Sequence, residues 1–137
     1  MQVFQLDGTV PQSFPFYIFK VSAGFPSPAD DHMDRKLDLN EHLIDSPSSS
    51  FFVRATGNSM IGAGICEGTL LVVDKSIEPK HNKIVIAVVD GEFTVKRLKK
   101  TANGYYLLVP ENPKYPPIKL NEDSYIWGVV TSVINQV

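Results

Sequence analysis

Apolar and polar positions alternate over short distances along most of this chain, and few stretches keep the three-to-four-residue spacing of an amphipathic helix. Phe51-Phe-Val-Arg-Ala55 reads as a strand that runs into a turn at Gly57. Leu70–Asp74 and Ile84–Asp90 are short β-branched runs bounded by turn residues. Asp90-Gly91 signals a hairpin, because both residues tolerate the positive φ of a tight turn. The pattern then predicts a strand over Glu92–Leu98, a second hairpin at Asn103-Gly104 leading into Tyr105–Val109, and a last strand from Tyr125 to Val133. Strands at this spacing predict a mainly β fold, a compact curved sheet or a small barrel. Only Leu37–Ile44 is weakly helical, and Pro47 with the Ser48-Ser49-Ser50 run ends it.

The opening stretch follows another rule. Pro11, Pro15, Pro26 and Pro28 discourage both helix and interior strand. Phe14, Phe16, Tyr17, Ile18, Phe19 and Val21 nevertheless make it too apolar for a solvated linker. An extended apolar segment needs a groove or a sheet edge to lie in, so residues 1 to about 30 read as a docking arm outside the core. The alternative is a first strand of the core itself.

Composition narrows the classes without naming an activity. The 137 residues suit one domain, and 43% hydrophobic residues are ordinary for a globular protein. A formal charge of -2 is poorly suited to gripping a phosphate backbone over a broad surface. One cysteine, Cys66, excludes an internal disulfide framework and a Cys-rich zinc site. No apolar run reaches the roughly 18–20 residues of a membrane span, and the first residues lack the pattern of a secretory signal, so a cytoplasmic location is expected.

Three features carry possible chemistry. Ser59, in Gly57-Asn58-Ser59-Met60, lies on a turn after a strand, where a hydroxyl is exposed and backbone N–H groups can converge on one point. Most Gly-Asn-Ser stretches are only turns, and the Gly-x-Ser-x-Gly elbow is missing. Lys96 shares a strand face with Thr94 and Leu98, beside an almost wholly apolar neighbouring strand. Burial would lower its pKa and make it a general base. On periodicity alone, a lysine whose stem covers the sheet while its amine stays wet carries more weight. Ser22-Ala23-Gly24-Phe25-Pro26 offers two small residues that fit a narrow cleft, or an ordinary flexible turn. His32, His42 and His81 stand in no triad or metal spacing and read as surface residues. A base for Ser59 therefore need not be histidine, since Ser–Lys pairs perform the same chemistry.

Ala23-Gly24-Phe25-Pro26-Ser27-Pro28-Ala29-Asp30-Asp31, Gly57-Asn58-Ser59-Met60-Ile61, the run Ile84–Leu98 and the run Leu108–Ile118 together resemble the LexA/UmuD family of self-cleaving peptidases. Each fragment is modest, but their order and spacing are specific, and the likeness runs from Ala23 almost to the end of the chain. The resemblance implies the LexA-type peptidase fold, Ser59 as nucleophile, Lys96 as general base, and a cut between Ala23 and Gly24. It divides the chain into a cleavable arm, 1–23, and a peptidase domain, 24–137, with no cofactor and no metal. Asn58 stands where the polymerase-accessory members usually carry Asp, a change expected to adjust local hydrogen bonding and to leave activity in place.

The 58 residues before Ser59 are Pro-rich and hold no paired amphipathic helices, so a DNA-binding head like that of the repressors is not expected. That favours the accessory-subunit members. Their likeness implies a homodimer, cleavage triggered by the RecA filament on single-stranded DNA, and a trimmed form that serves a UmuC-type Y-family polymerase in SOS mutagenesis. It also implies no sequence-specific DNA binding and no membrane contact. Two alternatives stay open: a non-catalytic dimeric interaction module, and the peptidase domain of a LexA-like repressor.

Overall fold

The computed structural model describes residues 1–5, 13–17, 24 and 33–137. Its strands are β1 (Gln2–Gln5), β2 (Ser13–Tyr17), β3 (Met33–Asp38), β4 (Ser50–Arg54), β5 (Leu70–Asp74), β6 (Ile84–Val89), β7 (Glu92–Lys100), β8 (Tyr106–Val109), β9 (Ile118–Lys119) and β10 (Tyr125–Ile134). Among the described residues, helix is confined to α1 (Leu39–Leu43) and two single 3-10 turns, Pro47–Ser49 and Ile61–Ala63. The chain forms two compact units, residues 1–6 with 46–137, and residues 7–45.

The larger unit is an eight-stranded sheet in the order β1-β4-β5-β10-β6-β7-β8-β9, antiparallel at every pairing. The last strand lies between β5 and β6, so the C-terminal segment joins the two halves of the sheet. β1 and β9 are its edges, and the sheet is open. Of the two architectures expected, a sheet that does not close into a barrel is the one formed.

The central strands are buried on both faces, which explains why their sequences are continuous apolar runs. Strand alternation sends Ile86 into one cluster with Val53, Met60, Leu71, Val73 and Val95. It sends Val85 and Ala87 into another with Leu98, Leu108 and Val129. Each such side chain, fully buried, contributes about 1.5–3 kcal/mol from area removed from water. The β6–β7 hairpin closes through Asp90 at φ 51° and Gly91 at φ 78°, the paired positive values of the favoured two-residue turn.

The smaller unit pairs β2 with β3 and runs into α1. The helix begins two residues later than the apolar spacing suggested. Asp38 stays extended at φ -91°, ψ 114° and caps the helix, its Oδ1 accepting from Asn40 N–H at 2.9 Å. Prolines in the opening stretch did not prevent strands there. A two-stranded sheet leaves one side of each strand unpaired, and Pro15 of β2 is tolerated in such a setting.

The first residues of the expected arm are themselves a strand, since Gln2–Gln5 pairs with β4 along the sheet edge. Val3 and Phe4 remain 40% and 45% exposed, so β1 joins the sheet without joining the core. Of the expected cleavage pair, Gly24 is an exposed bend residue and Ala23 lies outside the described residues.

Gly128 sits where the pairing of β10 with β6 shifts register, and a Cβ there would stand 2.6 Å from Cγ1 of the fully buried Val73. Gly128→Ala is therefore expected to destabilise the sheet by about 1–3 kcal/mol, read from the midpoint of urea unfolding.

Candidate active site

Two elements bring Ser59 and Lys96 together from 37 positions apart. β7 pairs with β6 from Glu92 to Arg97, but with β8 only from Arg97 onward. Among the described residues, 92–96 thus have no strand partner on that side. The loop that follows β4 comes up to this free edge. It turns through Gly57 at φ 83°, where a left-handed backbone favours glycine, and is pinned by Met60, which is 2% exposed in the core.

Lys96 Nζ lies 2.9 Å from Ser59 Oγ. The same nitrogen lies 2.7 Å from Thr94 Oγ1 and 3.1 Å from the Val95 carbonyl oxygen, and as an ammonium it donates to all three. Lys96 is 7% exposed, and no carboxylate contacts its amine among the described residues. Burial without a counter-charge disfavours the ammonium, so the Lys96 pKa is pushed below the ordinary lysine value. The lysine is therefore buried, contrary to the snorkelling reading that periodicity alone favoured. Thr94 occupies the face predicted for it, one alternation from Lys96, and supplies an oxygen that orients the amine.

Beside the pair lies a cavity of about 330 Å³, lined by Ala55, Thr56, Gly57 and Ser59 on one side and Gly91–Val95 on the other. Met1 contributes to its wall, so the start of the arm borders the site. The cavity opens to solvent, and the unpaired edge of β7 offers backbone groups with which an extended segment can pair.

Further residues hold the Ser59 loop in place. Asn112 Nδ2 donates to the Asn58 carbonyl at 2.9 Å, and Gly62 N–H donates to the Glu111 carbonyl at 2.8 Å. A Cβ on Gly62 would stand 2.7 Å from that carbonyl, so only glycine permits the approach. Asn58 meets this network through its backbone carbonyl. Sequence reasoning assigned no role to Thr94, Glu111 or Asn112. For the last two the available signal was the Pro-rich run Leu108–Ile118, where an Asn between turn-forming residues is 8% exposed.

The remaining expected residues lie elsewhere. His42 is exposed on α1, His81 is exposed and accepts from Lys100 N–H at 2.8 Å, and His32 is outside the described residues. Cys66 is exposed and free. Among the described residues no group of three or more His, Cys, Asp or Glu could hold a metal ion, and no helix is long and apolar enough to cross a membrane.

A hydroxyl set against a buried, uncompensated lysine at the free edge of an antiparallel sheet is the arrangement expected of a Ser–Lys peptidase site. In comparison with known proteins, residues 15–131 match the Peptidase S24-like family model. The chain is 45% identical over 122 residues to Protein ImpA of Salmonella typhimurium, covering 89% of this chain and 83% of that one. It is 46% identical over 127 residues to Protein SamA of the same species, covering 93% and 89%. It is 40% identical over 119 residues to LexA repressor 1 of Xanthomonas campestris pv. campestris, covering 85% of this chain and 58% of the repressor. The chain belongs to the Peptidase S24-like family of serine peptidases and autoproteases, as a UmuD-like member.

The buried lysine also sets a stability signature. Because its pKa is lower folded than unfolded, the unfolded chain binds more protons between the two values, and stability contributed at this position rises with pH across that window. Lys96→Met is expected to raise the unfolding temperature at neutral pH. Its advantage over wild type should shrink as the pH approaches the unfolded lysine value near 10.4. Thermal scans of both proteins across that pH range check this.

Proposed function

We propose that this protein cleaves its own chain between Ala23 and Gly24 through Ser59 and Lys96. The trimmed form then acts as an accessory subunit of an error-prone Y-family polymerase. The observation that carries the catalytic part is the 2.9 Å contact between Ser59 Oγ and a lysine amine that burial biases toward its neutral form. The family and the relatives support the rest.

The geometry supports the following chemistry. Neutral Lys96 accepts the Ser59 proton as Oγ attacks the Ala23 carbonyl carbon. The resulting oxyanion needs N–H donors, and the Ser59 N–H, which has no acceptor among the described residues, is one that is available. Collapse breaks the bond to Gly24, whose amine takes the proton from the Lys96 ammonium. Water then hydrolyses the Ala23 ester and restores Ser59. Thr94 holds the amine toward the hydroxyl throughout, without a charge that would raise its pKa. Because substrate and site share a chain, or a homodimer, the step is effectively unimolecular, and a modest dyad suffices.

In this reading the trigger is the RecA filament on single-stranded DNA and the downstream partner is a UmuC-type polymerase in the cytoplasm. The likeness to ImpA, SamA and the LexA repressor favours such an SOS role.

Incubation of the intact chain at mildly alkaline pH, followed by mass spectrometry, is expected to yield a product of 114 residues, 137 less 23. The rate should rise with pH as Lys96 loses its proton, and level off above its depressed pKa. Ser59→Ala and Lys96→Ala should each slow the cut by on the order of 10³-fold or more. Either variant cutting at the wild-type rate would contradict the dyad. A chain that stays intact even with an activated RecA filament would favour a non-catalytic interaction module.

A further inference from the structure

Ser59 is carried by a loop, and no sheet ladder sets its distance from Lys96. Something else must, since a nucleophile displaced by about 1 Å can lose on the order of 10²-fold in rate. We propose that Glu111 and Asn112 form a brace that holds the Ser59 loop at attacking distance from Lys96. This rests on the peptidase reading and gives a role to the Pro-rich segment after β8.

On one side the brace grips the loop at three places around Ser59. Asn112 Nδ2 donates to the Asn58 carbonyl at 2.9 Å, Glu111 N–H points to Met60 Sδ at 3.3 Å, and Gly62 N–H donates to the Glu111 carbonyl at 2.8 Å. None of these contacts uses the Ser59 hydroxyl, which stays with Lys96. On the other side the brace is fixed to β7, the strand that carries Lys96. Arg97 Nε donates to Glu111 Oε1 at 2.5 Å, and Val109, two residues before Glu111, pairs with Arg97 in the ladder.

The brace is itself stiff. Asn112 Oδ1 accepts from Lys114 N–H at 3.0 Å, its carbonyl accepts from Tyr115 N–H at 3.1 Å, and Pro110 and Pro113 restrict the chain on either side. Asn112 is 8% exposed with both side-chain polar atoms used, so it cannot turn away without leaving a buried group unsatisfied. Glu111 and Asn112 are positioning residues, acting through the Ser59 loop and through Arg97.

The test uses the full chain and the variants Asn112→Ala, Glu111→Ala and Glu111→Gln, with thermal scans to confirm folding. Two rates are read: loss of residues 1–23 across pH, and labelling of Ser59 by a small fluorophosphonate, which needs the dyad but not the docked arm. Both Ala variants should lower the high-pH plateau of cleavage by about tenfold or more, with labelling falling in parallel. Raising the pH should not restore the plateau, because Lys96 is already neutral there. Glu111→Gln, which keeps an acceptor for Arg97, should recover most of the rate.

Folded Ala variants that cut and label at wild-type rates overturn the brace while leaving the peptidase reading intact. So does slower cutting with normal labelling, which would place the segment in arm docking. If Asn112→Ala does not fold, the Glu111 pair decides alone. A wild-type chain that neither cuts nor labels overturns the peptidase reading itself, and the brace with it.

Discussion

A lysine amine held out of water with no counter-charge is the constraint around which this site is built. Lys96 places three polar contacts, to Ser59, Thr94 and the Val95 carbonyl, around a nitrogen that would be hydrated at any exposed position. Those contacts satisfy its hydrogen bonds without supplying charge, so burial can lower its pKa while the side chain stays fixed. A carboxylate in the same place would hold the proton on and remove the base. The arrangement costs stability at neutral pH, and the apolar core beside β6 offsets that cost.

The sheet serves this arrangement in a particular way. β6, buried on both faces, anchors β7 along one side, and β8 stops at the level of Arg97, so the stretch that includes Lys96 keeps an open edge. The Ser59 loop, the cavity and the unpaired backbone meet at that edge. An unpaired strand edge of this kind offers backbone groups with which an extended peptide can pair. Gln2–Gln5 pairs with the sheet at the β4 edge, and Met1 reaches the cavity wall.

How much of this was legible in the sequence depended on the range of the signal. β5, β6 and the Asp90-Gly91 hairpin were readable because their signals are local: β-branched runs and a dipeptide that accepts positive φ. The face of Lys96 was readable from alternation, but its burial was not. That depends on the Ser59 loop, 37 residues away, closing over the strand edge. Strands β1 and β2 escaped because edge and two-stranded pairings tolerate proline and short length, which ordinary strand rules penalise. The brace escaped for a similar reason: Glu111 and Asn112 look like turn residues until the loop and β7 are seen on either side of them. The pairing of Ser59 with Lys96 came first from a family likeness, and the geometry then placed the two atoms in contact.

The central claim is that burial lowers the Lys96 pKa in the folded protein and biases its amine toward the neutral form, and it can be read without waiting for any cleavage. Nuclear magnetic resonance of protein labelled with ¹³C at the lysine Cε, with Lys96 assigned by its loss in Lys96→Met, follows each amine through its titration. The account predicts a Lys96 midpoint clearly below the ordinary lysine value of about 10.4. A Lys96 midpoint at that ordinary value would contradict it.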